Sequence, residues 1–207
     1  MKKKINNQTK EIINSYLKEL KYCIDRLDIK RIEEVVAVLM DAYREGKTIF
    51  IVGNGGSAGI ASHMACDLGK GTLAREYDEG EKRFRVISLT DNVPVITAYA
   101  NDLSYEDIFV QQLRNLIGKD DVLVALSGSG NSINVVKAVQ YAKKCKAKTV
   151  GLLGFKTGGK LGKLVDLKLI AKSNFYGPCE DMQLILDHIL ISCVAKIKHQ
   201  LDNYRPK

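Results

Sequence analysis

The sequence predicts an α/β fold: a three-layer αβα sandwich around a five-stranded parallel sheet, with amino-terminal helices ahead of it. Three observations carry this. Short apolar runs without polar alternation recur at Thr48–Val52, Phe84–Leu89, Val122–Leu126, Thr149–Leu153 and Leu167–Ala171, the pattern of strands buried on both faces. Stretches with apolar residues at helical spacing separate them, as crossover helices require. Finally, Gly53-Asn54-Gly55-Gly56-Ser57 and Ser127-Gly128-Ser129-Gly130-Asn131-Ser132 each close an apolar strand and open a helix.

The chain opens with two amphipathic stretches. From Thr9 to Arg26 the apolar positions Ile12, Ile13, Tyr16, Leu17, Leu20, Cys23 and Ile24 form one stripe. From Lys30 to Arg44, Ile32, Val35, Val36, Leu39, Met40 and Tyr43 form another. Two helices exceed what one sheet needs for cover, so a subunit interface is expected of them. Ser57–Lys70 reads as the first crossover helix, Val93–Asn101 and Tyr105–Ile117 as helical, and Ser132–Cys145 as the helix after the third strand. A short helix begins near Gly158-Gly159, and the final helix runs from about Glu180 to Leu201. Residues Gly71–Arg83, with Glu76, Asp78, Glu79, Glu81, Lys82 and Arg83, read as an exposed, mobile loop.

A chain of 207 residues is long enough to bury a full core, and 45% hydrophobic with 27% charged residues is ordinary for a globular protein. No apolar run approaches the roughly 18–20 residues that span a bilayer, and Met1-Lys2-Lys3-Lys4 leads into polar residues, so the chain is read as cytoplasmic. Five cysteines without a CxxC pair suit reduced thiols; Cys66 and Cys179 lie near the turns. The net charge of +8 is spread over Lys2–Lys4, Lys143–Lys148 and lysines from Lys156 to Lys172. No aromatic residues are interleaved for base stacking, so nucleic acid is not the expected partner. A positive surface that attracts phosphorylated metabolites is.

The turn Ser127–Ser132 joins a strand to a helix amino terminus. Glycine permits close backbone approach, free N–H groups point outward, the helix dipole favours negative charge, and serine hydroxyls complete a phosphate cradle. The first turn does not fit G-x-G-x-x-G, because Ala58 follows Ser57. No acidic residue ends a second strand about 20 residues on, and no Gly-Lys-Ser/Thr follows, so neither a dinucleotide nor a P-loop nucleotide is expected. Asn54 and Ser57 are residues that can bond sugar hydroxyls. Ligands of such sheets bind beyond the carboxyl ends of the strands, where both turns fall.

Gly53-Asn54-Gly55-Gly56-Ser57-Ala58, His63 with a carboxylate four residues on, Asn101-Asp102, Ser127-x-Ser129-Gly130-Asn131-Ser132 and His188 together resemble the SIS (sugar isomerase) domain. Within it the likeness is greatest to the phosphoheptose isomerases and spans about residues 45–195. The resemblance implies a flavodoxin-like SIS domain over 46–207 and a helical extension over 1–45 that serves oligomerisation, in a homotetramer. It implies a phosphosugar ligand, with Ser127, Gly128, Ser129 and Ser132 at the phosphate and Asn54, Gly55, Gly56, Ser57, Asn101 and Asp102 along the sugar. The implied reaction interconverts sedoheptulose 7-phosphate and a heptose 7-phosphate through an enediol.

His63 and Asp67, four apart, share a helix face. Glu180, Gln183, Asp187 and His188 open the last helix, and Glu180 and His188 can share a face. By the resemblance His63, Asp67, Glu180 and His188 form a zinc site, with Asp67 or Glu180 as base and His188 as acid. Two departures stand out: Asp67 where the family has Glu, and Glu180 where it has Gln. Two imidazoles with two carboxylates remain a zinc-type donor set. The departures keep two rivals open: a non-catalytic phosphosugar-binding or adaptor SIS protein, and an isomerase of another phosphosugar.

Overall fold

The computed structural model describes residues 2–74 and 78–203, so Glu76 of the expected mobile loop lies outside the described residues. In chain order the elements are α1 (Lys2–Ile24), α2 (Ile29–Glu45), β1 (Thr48–Val52), α3 (Gly56–Cys66), a π-helical turn (Asp67–Gly71), β2 (Arg85–Ser88), α4 (Val93–Asp102), a short turn (Tyr105–Asp107), α5 (Ile108–Leu116), β3 (Val122–Ser127), α6 (Ile133–Lys144), β4 (Lys148–Leu153), α7 (Leu161–Leu164), β5 (Leu167–Ile170) and α8 (Tyr176–Asn203). The five strands pair in parallel in the order β2-β1-β3-β4-β5.

The absence of alternation along the strands has its cause in two cores. Ile49, Ile51, Val122, Val124, Leu126, Val150 and Leu152 face one side, where α2, α3 and α8 supply Leu39, Met40, Met64, Leu186 and Leu190. Phe50, Val52, Leu123, Ala125 and Leu153 face the other, against Phe109 and Leu113 of α5 and Val135, Ala138 and Val139 of α6. Burial of apolar area on both faces, at about 25 cal/mol per Å², makes β1, β3 and β4 an interior layer, whereas the edge strands β2 and β5 stay partly exposed, contrary to expectation, because each has a neighbour on one side only. The three-layer sandwich is as the sequence predicts.

The two amino-terminal helices part company. α2 is capped by Asp28, whose carboxylate accepts from the Arg31 N–H at 3.1 Å, and ends on Gly46 at φ 66°. Its stripe is buried on the sheet, so an interface is not needed to explain α2. α1 instead leans on α8, with the Tyr16 hydroxyl donating to Asp181 at 2.6 Å. Ile12, Ile13 and Leu17 stay exposed.

The loop before β2 also departs from expectation. Glu81 is buried and paired with Lys198 of α8, itself fully buried, and Glu81 also accepts from the Ala74 N–H at 2.9 Å. A pair of opposite charges this well buried anchors the loop at Glu81, while Glu79, Gly80 and Arg83 stay exposed as expected.

The chain runs outward to β2 after β1, then returns to β3 on the other side. β1 and β3 are therefore the neighbours at which strand order reverses, and a crevice opens beyond their carboxyl ends. That placement sets up the site.

Candidate active site

Both glycine turns emerge from these neighbouring strand ends and face one cavity of about 270 Å³. It is lined by Asn54, Gly55, Gly56, Ser57, Leu126, Ser127, Gly128, Ser129, Ser132, Tyr176 and Glu180. Eight of the ten substrate-binding residues expected from the sequence are therefore together. Asn101 and Asp102 are not among the lining residues: they end α4, exposed, with the Asn101 amide donating to Asp102 at 2.9 Å.

The walls are held by hydrogen bonds. The Gly130 N–H donates to the buried Ser127 Oγ at 3.0 Å, and the Asn131 N–H donates to Ser129 Oγ at 3.2 Å. Ser132 sits at the N-cap of α6 without a side-chain cap bond, its hydroxyl 3.4 Å from that of Ser127. Gly130 holds φ 65°, and a Cβ there would lie 1.9 Å from the Gly158 carbonyl oxygen, so only glycine fits. On the other wall, the Asn54 and Asn134 amides exchange hydrogen bonds at 2.9 Å, and Tyr105 donates to Asn54 at 3.0 Å. Ser57 donates to Gln183 at 2.8 Å, and Gln183 in turn donates to the Leu152 carbonyl at 2.9 Å. This buried link ties the start of α3 to α8 and β4.

α8 begins at Tyr176, four residues before the expected Glu180. The extra turn brings Tyr176 over Gly128 and Glu180 against Gly56, where a Cβ would lie 2.3 Å from a carboxylate oxygen. Gly56 thus makes room for the Glu180 carboxylate at the cavity wall. Tyr176 is a lining residue that the sequence did not single out.

Further along α8, four side chains converge from two helices: His63, Asp67, Asp187 and His188, with one donor atom from each within 4.8 Å of the others. The His63 and His188 Nε2 atoms are 3.1 Å apart. Asp67 Oδ2 lies 3.4 Å from His63 Nε2 and 3.9 Å from His188 Nε2. α3 passes into its π-helical turn at Asp67, an irregularity common at functional sites. Of the expected ligands, His63, Asp67 and His188 are together, while Glu180 is not in the group. Its carboxylate lies instead against Gly56, on the wall of the cavity.

Asp187 takes the place beside them. Its side chain is fully buried, and neither carboxylate oxygen has a hydrogen-bond partner among the described residues. Burial, with the Asp67 charge adding to it, pushes its carboxyl up to about 7. The His63/Asp67/His188 donor set fits a zinc ion: tetrahedral bonds of about 2.0–2.2 Å place donors roughly 3.3–3.6 Å apart, close to the separations here.

The cysteines divide. Cys66 is exposed, whereas Cys179 is buried, donates to the Ser173 carbonyl at 3.4 Å, and has its thiol pushed up by burial. A thiol held protonated in this way is a packing group, not a nucleophile.

Fold and site together define a class. The family model for the SIS domain matches residues 15–154, and the chain belongs to that family. Within it, the chain belongs with the phosphoheptose isomerases. It is 35% identical to the Helicobacter pylori (strain ATCC 700392 / 26695) phosphoheptose isomerase over 93% of this chain and 96% of that protein. It is 34% identical to the Clostridium acetobutylicum phosphoheptose isomerase over 95% of each. In fold it is similar to phosphoheptose isomerase structures from Neisseria gonorrhoeae (TM-score 0.82, 22% identity, 93% of this chain and 99% of that one) and Francisella tularensis (TM-score 0.81, 23% identity, 92% and 97%).

Proposed function

We propose that this chain is a phosphosugar aldose–ketose isomerase that interconverts sedoheptulose 7-phosphate and D-glycero-D-manno-heptose 7-phosphate through an enediol. One observation carries the proposal. A phosphate-type turn and the Glu180 carboxylate line the same cavity at the β1/β3 strand ends. The phosphoheptose isomerases that the chain resembles over nearly its whole length support the choice of substrate.

In this reading Ser127, Gly128, Ser129 and Ser132 receive the phosphate, and Asn54, Gly55, Gly56 and Ser57 the sugar hydroxyls. Glu180 is the base. It takes a proton from C1 of the ketose, giving the enediol, exchanges it with solvent while it is held on the carboxyl, and delivers a proton to C2 to give the aldose, while the hydroxyl proton passes from O1 to O2. A positioned base of this kind contributes about 10²–10⁴-fold. His63, Asp67 and His188 would hold zinc, which when bound polarises the carbonyl oxygen as a Lewis acid. The Nε2 of His188 can serve as ligand or as proton donor, not both at once.

The exposed Ile12, Ile13 and Leu17 of α1 support a homo-oligomer, with a tetramer as the expected form and, within the 1–45 segment, α1 as the part that supports assembly. No helix among the described residues is long and apolar enough to cross a membrane, in keeping with the expected cytoplasmic location.

The test incubates purified protein with sedoheptulose 7-phosphate, with and without Zn²⁺, and follows the aldose product alongside a Ser129→Ala control. Turnover by the wild type that drops in the control is expected. No turnover in either condition, with a phosphosugar-induced rise in Tm, would make the chain a binding protein and overturn the proposal.

A further inference from the structure

We infer that Asp187 is a metal ligand in this chain, the fourth beside His63, Asp67 and His188, and that Glu180 is thereby left free in the sugar cavity. The role of Glu180 rests on the proposed isomerase; the ligand set rests on geometry alone.

A fully buried carboxylate with no hydrogen bond to either oxygen is an expensive arrangement. Folded proteins meet such a group with a cation or a set of N–H donors. Here no lysine, arginine or backbone donor reaches it among the described residues. What faces it is the cluster itself: His63 Nε2 stands 3.9 Å from Asp187 Oδ2, and His188 and Asp67 complete the group. Two neutral imidazoles and two carboxylates balance a divalent cation in charge. Their donors supply the count and the types of a closed tetrahedral zinc site.

Helix geometry explains why Asp187, and not Glu180, takes this position. The two lie seven residues apart on α8, so they project from nearly the same face about 10 Å apart along the axis. Glu180 meets Gly56 and the sugar cavity; Asp187 meets the end of α3. One helix face therefore presents two carboxylates to two tasks. His188, next in sequence, points about 100° away and closes the group from its exposed side.

The test titrates chelator-stripped protein with Zn²⁺, and with Co²⁺ to read the d–d absorption of the bound ion, in wild type, Asp187→Asn and Glu180→Gln. Wild type is expected to bind one ion. Asp187→Asn should bind at least about tenfold more weakly with an altered Co²⁺ spectrum, and Glu180→Gln within about twofold of wild type. Metal-free Asp187→Asn should melt no lower than metal-free wild type, since the orphaned charge is gone, and should gain less Tm from added metal. Asp187→Leu keeps the experiment decisive should the amide not be accommodated. Wild-type affinity in the Asp187 variants, loss of metal in Glu180→Gln, or no ion in the wild type would overturn the inference. Turnover on the same samples is a separate readout: Glu180→Gln that binds metal normally but isomerises at the wild-type rate would defeat the proposed base and leave Asp187 a ligand.

Discussion

Two carboxylates are buried against α8, and they are treated in opposite ways. Glu81 reaches the carboxyl-terminal half of the helix and is met by Lys198, so a charge buried in the loop before β2 is compensated. Asp187 lies in the middle of the helix, equally buried, and its oxygens are met by no protein hydrogen bond. The first arrangement holds a loop to the domain. The second leaves an unfilled demand next to two imidazoles and a second carboxylate. A charge paired within the chain serves stability; on the inference above, the charge of Asp187 serves function by meeting a bound ion. The same contrast separates the sugar cavity, whose serine and asparagine groups are already bonded, from the cluster two turns along.

Breaking the complete pair should have the largest effect. Lys198→Met removes the buried ammonium that Glu81 faces and is expected to lower stability by about 3–5 kcal/mol, read by urea unfolding. Metal-free Asp187→Asn should show no such loss. If the two variants behaved alike, the distinction between these carboxylates would fail.

Next comes the wall between cavity and helix. A Cβ at Gly56 would strike the Glu180 carboxylate, which sits at the flexible end of its side chain and can move aside. Gly56→Ala should therefore fold yet turn over about a hundredfold more slowly, the cost of a base displaced by about 1 Å. The smallest effect is the matched control. Gly59, also in α3, has nothing within 4 Å of a Cβ, so Gly59→Ala should leave kcat unchanged and raise stability by up to about 1 kcal/mol through helix propensity. Kinetics and melting of the two alanine variants, measured together, separate displacement of Glu180 from a general effect on α3.

Much of this was legible in the sequence, for physical reasons. Strands buried on both faces announce themselves by unbroken apolar runs, and the glycine turns lie in the chain beside the strands that they close. What was not legible depends on contacts distant in sequence. Glu81 and Lys198 are 117 residues apart, so the loop's mixed charges read as solvated. The stripe of α2 shows that something covers it, not that the cover is its own sheet. A start for α8 at about Glu180 leaves out Tyr176-Gly177-Pro178, although proline is at home in the first turn of a helix, and so it hid Tyr176. Asp187 was visible as a carboxylate beside His188, yet its role requires knowing that the end of α3 packs there.

In the proposed reaction Glu180, in the cavity beyond β1 and β3, moves a proton between adjacent sugar carbons. Sedoheptulose 7-phosphate incubated with the protein in D₂O and followed by proton NMR tests it most directly. The expected result is loss of the C1 proton signal at a rate that keeps pace with or exceeds isomerisation in the wild type, and its near-abolition in Glu180→Gln with metal still bound. Exchange in Glu180→Gln at the wild-type rate, or product without any solvent exchange in the wild type, would contradict it.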